Sequence, residues 1–528
     1  MYNTVDKDGS TASKCSSNDK FLRFLRKNNP TKNQQDNAIV QPSPAPTLTP
    51  TPTPMPAATF PGAQYELKTY PQAWIALLLL ILLRTAVSVF QFTFSVVPGI
   101  TSEYFDVTLS AVNWLANAQC LIYVFMSFFT GVIFEKLGVK RSIAASGFLC
   151  ALGCAIRSIA AKTNPPSFAL TMVGQVVGGS AAPLALNVLT MFTSTWFTDN
   201  LRATAGMFIA SNYGAILVMF VIPTITLDAT YIPMVLNLVA GFAAVIFLPL
   251  LFMPHRPPTP PTRAQDIDRP SFFDGLRILS KNLNFWILFL IQSFNVGISI
   301  AFCSLFAQIL APHGYSNAQA GQLNALAFFA GTLGCSISGP VLDLTKQHKL
   351  FLKLIAPMVF VTDFAFIFMV RKDSYAAVLF VTTLNQFFLS FLVPVVTELG
   401  SETSYPVAEA TTNSLLWQGA QLFGFIFVII MDFTRNKQDN TMTNALVFQA
   451  IVAGVVMLLS FLFHGKMARS EAHAWEQKAI EKLTENKGEM GPLSKPLSSV
   501  IGVSLNDDPL YQQEPNTVVI KERHSMST

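Results

Sequence analysis

Apolar runs of about twenty residues, the length that crosses a hydrocarbon core about 30 Å thick, recur twelve times along this chain. They cover 72–98, 108–133, 142–162, 167–194, 203–224, 231–253, 285–310, 319–342, 350–370, 375–399, 412–431 and 442–464, and each predicts a membrane-spanning helix. Gly, Pro and Asn interrupt the runs between 167 and 224, a composition suited to helices that pack closely or line a cavity. The longest internal polar connection, 254–284, separates six runs from six. It opens with Pro254-His255-Arg256-Pro257-Pro258 and ends with the amphipathic Phe272-Phe273-Asp274-Gly275-Leu276-Arg277-Ile278-Leu279, the pattern of a helix lying at a membrane surface. The expected organisation is an all-α membrane protein. It has an N-terminal tail (1–70), a six-helix bundle (71–253), a linker (254–284), a second six-helix bundle (285–464) and a C-terminal tail (465–528).

Composition agrees with burial in lipid. Of 528 residues 51% are hydrophobic and 12% charged, with mean hydropathy +0.44, whereas soluble domains carry about a quarter charged residues. The net charge of +5 sits in tails and short loops, which points to membrane topology and not to nucleic-acid binding. With both tails in the cytoplasm, the inner loops hold twelve bases: Lys136, Lys140, Arg141, Arg202, Arg256, Arg263, Arg269, Arg277, Lys281, Lys346, Lys349 and Lys353. The outer loops hold five: Lys162, Arg371, Lys372, Arg435 and Lys437. The bias of positive charge toward the cytoplasm therefore places both termini inside. The N-terminal tail carries a Pro-Thr run from Pro46 to Pro56 and reads as disordered or polyproline-like. With no cleavable signal peptide visible, the first span serves as its own insertion signal. The C-terminal tail starts helix-like near His473 and then turns polar, as either a sorting segment or a solvated end.

Two loops stand at matching places in the two halves. Gly131-Val132-Ile133-Phe134-Glu135-Lys136-Leu137-Gly138-Val139-Lys140-Arg141 follows the second run, and Gly339-Pro340-Val341-Leu342-Asp343-Leu344-Thr345-Lys346 follows the eighth. Glycine permits a sharp turn and tight helix contact, and the charges can pair across a gate. Glu398, Glu402 and Glu409, near the inner ends of spans 10 and 11, are expected to join Arg202 and the bases around Lys346 in that gate.

Candidate binding residues form polar stripes. Arg84, Ser88, Gln91 and Ser95 in span 1 are spaced 4, 3 and 4, on one helical face. Arg84 lies about twelve residues, roughly 18 Å, into its span. A lone charge at that depth costs at least about 2.5–3.5 kcal/mol, so it should face the interior, either as a contact for an anionic or zwitterionic solute or as half of a structural pair. Asn187 in span 4, Gln292, Asn295 and Ser299 in span 7, and Ser414, Trp417, Gln418 and Gln421 in span 11 complete the set. Asp363 inside span 9 is a candidate proton-coupling group or a structural pair. No span interior holds a histidine, which leaves no axial haem ligand. HExxH, GxxxxGK[ST] and a nucleophile elbow are absent from the sequence, so no metal, cofactor or enzymatic activity is expected. The six cysteines form no CxxC and read as buried hydrophobes. The expected partners are a small-molecule substrate and the lipid bilayer, with no nucleic acid, and the protein is expected to be a monomer.

Twelve spans, a central linker and the repeated loop resemble the major facilitator superfamily. Its 2–3 loop reads Gly-x-x-x-Asp-x-x-Gly-x-Lys/Arg-Lys/Arg, and Gly131, Glu135, Gly138, Lys140 and Arg141 match it with Glu for Asp. Within it the chain is similar to the feline leukaemia virus subgroup C receptor family of haem and choline transporters and its lysosomal relatives. That likeness is carried by Thr85-Ala86-Val87-Ser88-Val89-Phe90-Gln91-Phe92, Asn113-Trp114-Leu115, Trp196-Phe197 with Arg202-Ala203-Thr204-Ala205, Gly339 to Lys346, Glu398, Glu402, Thr403, Tyr405-Pro406 and Glu409, and Ala420-Gln421-Leu422-Phe423-Gly424. It implies transport of choline, ethanolamine, haem or a related metabolite by alternating access, in the plasma membrane or an endosomal or lysosomal membrane. The other readings are a proton-coupled carrier of an organic anion or vitamin and a non-transporting receptor or sensor. Choline carriers of that family use a Trp in span 1 and a Tyr in span 7, where this chain has Phe92 and Ile300. Phe meets a quaternary ammonium less strongly than Trp, and Ile not at all.

Overall fold

In a computed structural model the protein is described at residues 69–255, 257, 272–436 and 438–471. Twelve helices have the length and apolarity to cross a membrane: spans 1 to 6 are Pro71–Phe92, Leu109–Phe134, Lys136–Lys162, Phe168–Asn187, Thr204–Ile225 and Ala229–Leu251, and spans 7 to 12 are Leu283–His313, Asn317–Leu342, His348–Met369, Tyr375–Thr403, Thr411–Phe433 and Thr443–Leu462. Most of both tails and about half of the linker expected from the sequence lie outside the described residues.

Local signals set the helix ends. Thr108 and Ser167 accept hydrogen bonds from the backbone N–H groups of Ala111 and Leu170. Ser316 and Gln319 form a reciprocal capping box at the start of span 8. Between spans 2 and 3 the helix barely stops; the direction changes at Gly138, whose φ of +73° lies in the left-handed region that glycine enters without penalty.

The outside of the bundle is apolar. Phe252 (85% exposed), Val245 (68%) and Phe380 (67%) point outward, the inverse of a soluble surface and the right face for lipid. Inside, small residues let helices touch. A Cβ on Gly178 would lie 2.4 Å from the Phe90 ring and one on Gly153 would lie 2.5 Å from the Gly178 backbone, so spans 1, 3 and 4 meet at backbone distance.

One apolar core gathers spans 1 to 6, and others, such as that around Phe302, Phe306 and Phe366, lie within spans 7 to 12. The linker ends in a helix, Phe272–Ser280. Its Leu279 is fully buried with Phe285, Val407 and Leu416, so the amphipathic segment is docked on spans 7 and 11 as well as amphipathic.

The interrupted runs become broken helices. Span 4 continues past its breaks as Phe168–Gly179, Ala181–Asn187 and Leu189–Trp196, and the fifth run splits into Asp199–Ala210 and Tyr213–Ile225. Ser211 and Asn212 between the last two have non-helical backbone angles. Irregular backbone at this depth is tolerated where it lines a cavity.

Candidate substrate cavity and its two ends

The break in span 5 opens onto a central cavity of about 170 Å3 between the halves. From the first half come Arg84, Gln91 and Phe92 of span 1, Gln119 and Tyr123 of span 2, and Asn212; from the second come Ser299, Ile300 and Cys303 of span 7, Phe328 of span 8, Gln386 of span 10, and Trp417 and Gln421 of span 11. Phe92 and Phe328 approach from opposite halves with ring centres 6.1 Å apart.

Among the described residues Arg84 is the only formally charged one in this lining. Its Nε donates a long 3.4 Å bond to the carbonyl of Ile209, at the end of the first segment of span 5, where the helix dipole is negative. Among the described residues no carboxylate pairs with it. Gln91 and Gln421 likewise have no hydrogen-bond partner among them.

The cavity's two ends differ. Toward the end from which the linker leaves, it shares Leu186, Ala210, Cys335, Val393 and Trp417 with a wider vestibule of about 370 Å3, which extends to Gly339, His348 and Glu398. At the opposite end a polar cluster ties the halves together. Asn113 at the start of span 2 donates to Asp432 (3.0 Å) and accepts from Gln308 of span 7 (2.6 Å). Arg435 donates to Gln308 and to Asp432, the latter at 2.6 Å. The Arg435 and Asp432 side chains are 11% and 15% exposed, so this pair is far better shielded than an ordinary surface ion pair.

Not every residue expected at the site reaches it. Arg84, Gln91, Phe92, Trp417 and Gln421 line the central cavity. Asn187 lines the vestibule, and its side chain is engaged by Tyr123, Ser127 and Thr130. Asn295 points away, donating to the carbonyl of Leu389 in span 10. Asp363 is buried among spans 9, 10 and 12, accepting from Asn385 (3.0 Å) and Gln449 (2.6 Å), and belongs to neither cavity lining.

Of the gate residues, Gly131 and Gly138 flank the 2–3 turn with Lys140 and Arg141 beyond it, and Lys346 ends span 8 in a left-handed conformation. The side chains of Glu135, Arg202 and Asp343 lie outside what is described. Glu398 and Glu402 meet a residue that sequence reasoning left unassigned: Arg469, just past span 12, reaches Glu398, Glu402 (3.1 Å) and Glu409 (2.8 Å). Burial would lower the Arg469 pKa, but the three carboxylates, Glu398 foremost, hold it above its usual value. Ser470 adds two bonds to Glu402.

Sequence reasoning also missed Gln119, Tyr123, Gln386 and Asn212 in the cavity and the whole Asn113 cluster. It missed Arg157 in span 3 too, which is fully buried, donates to the Phe90 carbonyl (2.9 Å) and lies 4.3 and 4.4 Å from the ring centres of Phe90 and Phe94. The available signals were the polar residues of span 2 and an arginine deep in an apolar run.

A helical bundle of two six-helix halves with a cavity between them is the architecture of a membrane carrier. The sequence matches the Major Facilitator Superfamily over residues 73–429. It is 30% identical over 381 residues to "Solute carrier family 49 member A3" of Xenopus tropicalis, covering 70% of this chain and 79% of the relative. It is 25% identical over 412 residues to "Choline/ethanolamine transporter FLVCR2" of Homo sapiens, covering 74% of this chain and 76% of the relative. Among solved structures, a bacterial homologue of the lysosomal transporter Spinster, in an inward-facing conformation, aligns with TM-score 0.57 at 16% identity over 75% of this chain and 98% of that one. The fucose transporter FucP in its outward conformation aligns with TM-score 0.54 at 16% identity over 75% and 100%. The chain belongs to the major facilitator superfamily and, within it, to solute carrier family 49.

Proposed function

We propose that this transporter moves a small organic solute by alternating access, and that the arrangement described is its inward-open state. One observation carries the reading: the central cavity is walled by both halves, continuous with a vestibule at the linker end, and bridged at the other end by the Asn113–Gln308–Asp432–Arg435 cluster. In this reading the linker end is cytoplasmic, with both termini, as the twelve-to-five distribution of bases requires. We assign Gly131, Glu135, Gly138, Lys140, Arg141, Arg202, Asp343, Lys346, Glu398 and Glu402 to a cytoplasmic gate that closes when the outer cluster parts. Asp363, outside both cavity linings, acts as a hydrogen-bond hub of spans 9, 10 and 12.

The relatives named for choline and ethanolamine favour a solute of that size, and a cavity of about 170 Å3 lies below the usual range for drug-sized ligands. The test is uptake and counterflow of labelled choline, ethanolamine, pyridoxine and haem in proteoliposomes, together with Glu135→Lys. Saturable exchange of a small solute that Glu135→Lys abolishes at unchanged expression supports the reading. Counterflow that Glu135→Lys leaves intact removes the gate assignment.

A further inference from the structure

We infer that the solute carries a carboxylate or an equivalent small anionic group, seated on Arg84; this rests on the central cavity being the transport site. The chain has two arginines deep in its first-half spans, and they are treated differently. Arg157 is enclosed by two aromatic faces and a backbone carbonyl, with the edge of Gly174 against it; it is built into the helix packing. Arg84 is not enclosed. It lines a cavity, makes one long bond to a carbonyl at a helix end, and has no carboxylate partner among the described residues.

A guanidinium cannot shed its proton at any physiological pH, so its charge must be met by something. Among the described residues the cavity wall offers nothing negative: its lining includes no aspartate or glutamate. An arriving anion would supply the missing counter-charge through charge-assisted, bidentate bonds, the geometry for which arginine is suited. Gln91, one helical step from Ser88 on the same face, and Gln421 across the cavity hold unengaged amides for a second polar group. Phe92, Trp417 and Ile300 supply an apolar wall. The same wall is poor for a bare cation. A quaternary ammonium would still meet the rings of Phe92, Tyr123, Phe328 and Trp417, but it would share a low-dielectric cavity with a positive charge that no carboxylate among the described residues compensates. A zwitterion such as betaine fits, its carboxylate on Arg84 and its methyls on Phe92.

The decisive probes are two matched pairs, choline against betaine and benzyl alcohol against benzoate, titrated onto the purified full chain in lipid nanodiscs with thermal stabilisation as readout. Each carboxylate should bind at least about tenfold, up to about a hundredfold, tighter than its partner, the range expected of hydrogen bonds to a charged group. Arg84→Gln should erase that preference, and Arg84→Lys, which keeps the charge without the fork, should retain part of it. The melting temperature of each ligand-free variant separates loss of binding from loss of fold, and the wild-type comparison needs no variant. The inference is overturned if neither carboxylate binds the wild type, if choline binds as tightly as betaine, or if a folded Arg84→Gln keeps the preference. Accumulation in proteoliposomes separates the two readings. Carboxylates that bind without being moved would uphold the anion seat and sink the carrier reading, whereas choline uptake undiminished in Arg84→Gln would do the reverse.

Discussion

Replacing Asn113 with alanine should loosen the outer closure without harming the fold. Among the described residues Asn113 is the one first-half member of the cluster, so its amide carries the hydrogen bonds that the cluster makes between halves. Two of them are short, the donation to Asp432 at 3.0 Å and the acceptance from Gln308 at 2.6 Å; the 3.4 Å contact to Gln308 is marginal. A neutral hydrogen bond contributes about 1 kcal/mol net and one to a charged group about 1.5–3, so the inward-open state loses about 2–4 kcal/mol relative to an outward-open one in which these groups meet water. At 1.4 kcal/mol per decade the outward-open population rises by roughly 30- to 1000-fold as long as it remains the minor state. Asp432 keeps its bond to Arg435, so no buried charge is stranded and the protein should still fold.

The cavity supplies its own reporters, because Cys303 and Cys335 both line it while Cys120, Cys150 and Cys154 are buried elsewhere. In cells, the rate at which an impermeant thiol reagent added outside modifies these two cysteines tracks the outward-open population. Asn113→Ala should raise that rate by at least an order of magnitude, and a Cys303→Ser/Cys335→Ser background should abolish the signal. An unchanged rate, with normal surface expression, would refute both the role of the cluster and the assignment of this end as the closed one.

Other substitutions probe the remaining packing. Gly178→Val drives its side chain into the Phe90 ring, which is itself pinned beneath Arg157, so the melting temperature should fall by the equivalent of about 1–3 kcal/mol of overpacking or more; an unchanged melting curve would contradict the close approach of spans 1 and 4. Arg469→Ala leaves the 3% exposed Glu402 side chain without its cation, at a cost below the about 3–5 kcal/mol of a fully buried broken pair because Arg469 is 23% exposed, and should be read as reduced thermal stability that Arg469→Lys partly restores. Asp363→Asn should leave the pH profile of uptake unshifted if Asp363 is a hydrogen-bond hub; an acid-side shift in that profile would instead mark it as a proton carrier.

The number of spans, their division into halves and the 2–3 turn were legible because each rests on a signal that burial in lipid makes strong: long apolar runs, a polar gap, a glycine where the chain turns. The cavity was only half legible. A polar stripe on a helix says which face avoids lipid, but not whether that face meets a cavity or a neighbour. Ser299 faces the cavity while Asn295, one turn earlier on the same stripe, is spent on the Leu389 carbonyl. The outer cluster was illegible for a different reason. Asn113 meets residues 195 and 319 positions away, and no local pattern announces such a partner. Arg469 was hidden likewise, lying beyond the last apolar run.

Substrate choice follows from how these levels combine. The scaffold residues that close packing requires, Gly178 against Phe90 and Gly153 against Gly178, position span 1 so that its stripe faces inward whatever the solute. On that fixed frame Phe92 and Ile300 present a phenyl and an aliphatic face to the cavity, and Arg84 faces the same space. The two features act in one direction: a phenyl ring at position 92 attracts a cation less than an indole would, and the Arg84 guanidinium has no carboxylate partner among the described residues. Either alone would lower affinity for choline while keeping its class. Together they invert the electrostatic preference of the cavity, so restoring only the aromatic face, with Phe92→Trp, should gain little choline binding while Arg84 remains, and Phe92→Trp combined with Arg84→Gln should gain far more than the sum of the two. Strict additivity in that double-mutant cycle would show that Arg84 and the position-92 ring do not act on the same ligand.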